Sequence, residues 1–119
     1  MKHLKIFESI KIKSSKVTDI EIGDYVIVKV NYKLLPVECS NFINNNVGRL
    51  LNEDDSWENF LIGYENIPEN LTIYFREKDY NRTYKKKYYT RWINSDRVIL
   101  YDKSYDDVLL KYNALKYNI

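Results

Sequence analysis

The chain has 119 residues, 45% hydrophobic and 15% aromatic, which is enough for one hydrophobic core, too little for two, and too apolar for a disordered chain. Its formal net charge of +2 is too small to imply nucleic-acid binding from bulk charge alone. A single cysteine, Cys39, and a single histidine, His3, leave no internal disulfide and no four-ligand zinc site within the chain.

Leu4, Ile6, Ile10 and Ile12 share one parity with mostly polar residues between them, which predicts a half-buried strand over about 3–12. The polar stretch that follows ends at Ile22-Gly23-Asp24, where a Gly-Asp pair turns the chain into a strand over about 24–32. Pro36 has no N–H for a ladder and stops it, and Asn41–Asn46 reads as a loop or a single helical turn. Val47-Gly48-Arg49-Leu50-Leu51 resumes an apolar strand, about 47–52. A polar acidic turn then leads to a partner strand, about 57–65, so that the two form a hairpin. Pro68 is placed to open a short helical turn, because its missing N–H costs nothing there.

The β-favouring Tyr, Thr and Trp between 76 and 92 predict a strand over about 83–92, followed by a turn at Asn94-Ser95-Asp96 and a last strand over about 96–101. Ser104 with Asp107 three residues on marks the start of a helix over about 105–117. Its stripe of Tyr105, Val108, Leu109, Tyr112 and Leu115 calls for burial against the sheet. No linker or repeat divides the chain, which reads as one α+β, mainly β domain over 1–119.

Catalysis and cofactor binding find no support in the motifs. His3 has no partner nucleophile in view, and Glu38 beside Cys39 disfavours a thiolate. The run Glu53-Asp54-Asp55 with Glu58 lacks the alternate spacing and central glycine of a calcium loop, so a solvated turn is the simpler reading. Asn70-Leu71-Thr72 and Asn81-Arg82-Thr83 match the glycosylation pattern by chance in an Asn-rich chain. With no signal-peptide core after Met1 and no run near the roughly 20 apolar residues that span a bilayer, the expected location is the cytoplasm. The expectation is a non-enzyme with no cofactor and no metal.

The strongest functional signal is charge interleaved with rings. Arg76, Lys78, Arg82, Lys85, Lys86, Lys87 and Arg91 alternate with Tyr80, Tyr84, Tyr88, Tyr89 and Trp92, opposed only by Glu77 and Asp79. Cations neutralise phosphates and ring faces stack on unpaired bases, so the pattern suits RNA, single-stranded DNA or a ribonucleoprotein. The competing reading is a solvated strand whose tyrosines alternate into the core while its charges protect an edge. A rival acidic surface is Glu53, Asp54, Asp55, Glu58, Glu65 and Glu69, a run without Lys or Arg that could mimic nucleic acid toward a basic cleft.

Gly23-Asp24-Tyr25-Val26, Val47-Gly48-Arg49-Leu50 and Asn59-Phe60-Leu61-Ile62-Gly63-Tyr64 together resemble successive strands of an SH3-like small barrel of the KOW type, over the middle third of the chain. The resemblance implies a small SH3-like barrel or a strongly bent antiparallel sheet with the C-terminal helix packed on it. Ile22–Val26, Asn45-Asn46-Val47-Gly48, Tyr64-Glu65-Asn66-Ile67-Pro68 and the tail Lys116-Tyr117-Asn118-Ile119 resemble a group of small uncharacterised phage proteins. That likeness implies an accessory protein acting on host nucleic-acid-handling or defence machinery in the infected cell's cytoplasm. Anti-CRISPR inhibitors are one such class, with a host protein or ribonucleoprotein as partner, and direct single-stranded RNA or DNA binding is the alternative.

Overall fold

The computed structural model describes residues 19–31, 33 and 35–117, and the strand expected over 3–12 lies outside them. In chain order come β1 (Tyr25–Val28), α1 (Val37–Asn45), β2 (Gly48–Glu53), β3 (Asn59–Tyr64), a 3-10 turn (Glu69–Tyr74), β4 (Arg76–Asn81), β5 (Lys86–Asn94), a second 3-10 turn (Ser95–Arg97), β6 (Val98–Asp102) and α2 (Tyr105–Tyr117). The strands form one antiparallel sheet in the order β4-β5-β3-β2-β1-β6. The class is therefore α+β, mainly β, with the C-terminal helix packed on the sheet. Because β4 and β6 remain edges, the sheet is not closed into a barrel, and of the two architectures expected the open, bent sheet is the one present.

The bend follows from the length of one connection. β5 and β6 are four places apart in the strand order, which in a flat sheet is about 19 Å. Only Ser95, Asp96 and Arg97 join them, wound into a 3-10 turn that rises ~2 Å per residue. The sheet must curl until β6 arrives beside the end of β5. Hydrogen bonds fasten that junction: the Ser95 N–H donates to the Glu58 carbonyl at 2.8 Å, and the Lys29 N–H to the Arg97 carbonyl at 2.9 Å. Asn94 caps the turn by accepting the Asp96 N–H at 2.9 Å. Register shifts in β1, β2 and β4 add to the local bending.

Curling gives each face its own core. On the concave side Val26, Val28, Leu50, Phe60, Ile62 and Tyr64 pack with Cys39 and Ile43 of α1 and with Leu71 and Phe75. Phe42, Tyr64 and Phe75 meet edge to face with centroids 5.5, 5.8 and 6.3 Å apart. On the convex side Ile27 and Leu100 pack against Val108 and Tyr112 of α2. That helix packs on β1 and β6. Among the described residues no helix is long and apolar enough to cross a membrane.

Five local expectations change. The strand expected over 24–32 spans only Tyr25–Val28, and beyond it the Val30 N–H is taken by the Asn44 side chain instead of a neighbouring strand. Asn41–Asn46, read as loop or single turn, lies mostly within the nine-residue helix α1, whose buried residues Cys39, Ser40, Ile43 and Asn44 fall at helical spacing. Tertiary hydrogen bonds outweigh the weak propensity of its asparagines: Asn44 Oδ1 accepts the Val30 N–H at 2.6 Å, and the Asn44 carbonyl accepts from Lys29 Nζ at 2.9 Å. The strand expected over 57–65 begins only at Asn59, because Trp57 takes a positive φ of 62° in the preceding turn. The strand expected over 83–92 is the second arm of a hairpin whose first arm, β4, was not foreseen. Helix α2 spans 105–117 as expected, with the Asp107 N–H directed at Ser104 Oγ at 3.3 Å. Of its expected stripe, however, Tyr105 and Leu109 are exposed, because a helix lying on two strands has room to bury only Val108 and Tyr112 completely.

Candidate binding surface

The β4–β5 hairpin carries the whole basic aromatic segment and sorts it by strand alternation. Three of its tyrosines serve the fold. Tyr84, in the turn, lies over the Arg49 guanidinium at 3.7 Å, and Arg49 lies over Tyr25 at 4.6 Å while donating Nε–H to the Gly23 carbonyl at 2.9 Å. Gly23 permits this closeness: its φ is +101°, and a Cβ there would sit 2.5 Å from the Tyr84 hydroxyl. Tyr88 is buried on the convex face, where Gly63 leaves room for its Cβ. Tyr89 packs against the concave core beneath Lys78, whose Nζ is 5.2 Å from the ring centroid.

The remaining members form two groups. Lys78, Tyr80 and Lys87 share one face of the hairpin, with Tyr80 directly opposite Lys87, and Arg82 and Lys85 occupy the turn beyond them. All five are exposed. Lys86 points to the other face and meets Glu65 at 3.3 Å, an exposed pair of small energetic worth. Arg76, Arg91 and Trp92 lie at the base of the hairpin, where Trp92 is five residues, ~17 Å, along β5 from Lys87 and Arg76 is two residues along β4 from Lys78. Arg91 is half-buried and donates to the Tyr74 carbonyl at 2.6 Å, while Trp92 stays 41% exposed.

The acidic residues are not gathered into one surface. β3 separates Glu53, Asp54, Asp55 and Glu58 at one end from Glu65 and Glu69 at the other, a distance of ~20 Å. Asp54 organises its own turn. Its carboxylate accepts from Asn59 Nδ2 at 2.9 Å, from the Glu58 N–H at 3.0 Å and from the Asn59 N–H and Ser56 hydroxyl at 3.2 Å. These bonds, the Asn59 side chain foremost, hold its pKa below the ordinary aspartate value.

Among the described residues no group of three or more His, Cys, Asp or Glu is placed to hold a metal ion. Cys39 is fully buried, and burial pushes its thiol pKa up against a weaker opposing pull from Arg91. A cleft runs along the side of β5 that β4 leaves uncovered. Leu35, Ile73 and Arg97, none singled out by the sequence, join Arg76, Arg91 and Trp92 in lining it. No local pattern could have found the first three, because the curl of the sheet assembles them. No family model, curated protein or solved structure matches the chain.

Proposed function

We propose that this protein is a binding module rather than a catalyst, and that it docks the β4–β5 hairpin on a polyanionic partner in nucleic-acid-handling machinery. What supports the reading is the exposed group Lys78, Arg82, Lys85 and Lys87 around Tyr80, for which no carboxylate partner occurs among the described residues. Cations so placed release counterions when they meet phosphates, and an exposed tyrosine offers a face for a base or a protein anchor. The Tyr84–Arg49–Tyr25 stack ties the hairpin turn to the sheet, so little order has to be gained on binding. The narrower reading, a phage accessory protein that modulates a host defence complex such as a CRISPR effector, rests on the resemblance of the quoted strings alone. Direct binding of single-stranded RNA or DNA is the second reading, favoured by Tyr80 standing opposite Lys87.

Labelled single-stranded oligonucleotides and a nuclease-treated bacterial lysate separate the two. In the first reading, protein complexes captured from the lysate survive nuclease. In the second, free oligonucleotides bind with log K falling by about 3 per decade of salt, from four cations at 0.7–0.9 each. Lys85→Glu with Lys87→Glu should weaken either interaction at least tenfold. If that double reversal changes neither, the hairpin is not the binding surface.

A further inference from the structure

The cleft along β5 is independent of the hairpin tip and has a chemistry of its own. β4 pairs with β5 only as far as Thr90, so among the described residues Arg91–Asn94 is paired with β3 alone. The Ser95 N–H points at β3, where Glu58 accepts it, so by alternation the backbone groups of Arg91 and Ile93 also point to β3 and those of Trp92 point away. No described residue outside the strands takes the Trp92 N–H or carbonyl. Neighbouring residues of a strand project to opposite faces, yet Arg91 and Trp92 both line the two hollows of about 400 and 580 Å³ found here. The cleft therefore straddles the strand edge instead of lying on one face of the sheet.

Its walls combine apolar and cationic groups. Leu35 lies between the two hollows, Ile73 is 80% exposed at one end, and the Trp92 ring flanks the open backbone. Among the described lining residues, Arg76, Arg91 and Arg97 face one carboxylate, that of Asp96. Open strand backbone, two partly apolar hollows beside it and an excess of guanidinium groups are the features that seat an added strand whose side chains alternate between apolar and acidic.

We propose that this cleft binds an extended acidic peptide segment of a partner protein, which adds alongside Arg91–Asn94 with its backbone paired to Trp92 and its carboxylates on the arginines. The occupant is a peptide because the uncovered backbone would give it direct pairing, while the one exposed ring offers little to a run of stacked bases. The proposal does not depend on the hairpin reading, since Lys78, Tyr80, Arg82, Lys85 and Lys87 line neither hollow.

A ribosome-displayed library of random twelve-residue peptides, selected on the full chain, tests it. The enriched peptides should show Asp or Glu alternating with apolar residues. Their affinity should fall at least tenfold with Arg97→Glu and with Trp92→Ala, and stay within twofold with Lys85→Glu and Lys87→Glu. Binding of such a peptide should also slow exchange of the Trp92 amide hydrogen. Enrichment without acidic bias, binders indifferent to Arg97→Glu, or release of bound peptide by oligothymidylate at equal concentration would each overturn the proposal. Arg97 is exposed, so its reversal tests the cleft even if Trp92→Ala disturbs folding.

Discussion

Gly23 illustrates how much one backbone torsion decides. Its φ of +101° and the Tyr84 hydroxyl above it leave no room for a side chain, so Gly23→Ala should cost about 1–3 kcal/mol in urea unfolding. Adding Tyr84→Phe should restore only part of that, because the torsional strain remains. The Gly23-Asp24 turn was legible as turn chemistry, but its tyrosine neighbour, 61 positions along the chain, was not. At Asp54 the folded-state pKa lies below the ordinary value of 3.8, so the stabilisation from its hydrogen bonds is fully present above that value and is lost as pH falls through the lower, folded one. Asp54→Ala should therefore lower the urea midpoint at neutral pH, and the two midpoints should converge as the solution is acidified below 3.8. A turn was expected over these acidic residues. What the pattern could not convey is that the Asp54 carboxylate accepts hydrogen bonds from Ser56, Glu58 and Asn59 inside that turn.

The two helices differ in how far local pattern specifies them. In α2 the cap at Ser104, the acidic first turn and the apolar stripe all act within a few residues of one another, which is why the bounds 105–117 were legible. The depth of burial along the stripe was not, because it depends on how much sheet lies beneath the helix. Val108→Ala should accordingly cost about 2 kcal/mol, whereas Leu110→Ala, on the exposed side, should stay within about 0.5 kcal/mol in the same unfolding assay. Helix α1 is the opposite case. It follows Pro36 without a side-chain cap and contains Asn41, Asn44 and Asn45, so local preference alone argues against it. Its stability comes from packing of Cys39 and Ile43 and from the bonds between Asn44 and the end of β1. Asn44→Ala, which strands the Val30 N–H, should destabilise the protein by about 1–3 kcal/mol.

At the scale of the molecule, Cys39 reports on the whole concave core. It is fully enclosed, and burial raises its thiol pKa, so a thiol reagent should modify it at least ~100-fold more slowly in native buffer than in urea, with a rate that follows global unfolding. Rapid native-state labelling would mean that α1 opens independently of the sheet. Period-two alternation, the sparse glycines and prolines and the terminal amphipathic segment were sufficient to determine a mainly β domain with a C-terminal helix, because each of these signals acts over neighbouring residues. The same local information located the basic aromatic segment. It could not sort that segment into three structural tyrosines, an exposed cationic hairpin face and an arginine-lined strand edge. That sorting depends on register, on which strand becomes an edge, and on a three-residue connection that forces the sheet to curl and brings Leu35, Ile73 and Arg97 to Trp92. These are pairings between residues far apart in the chain, so only the tertiary structure decides them.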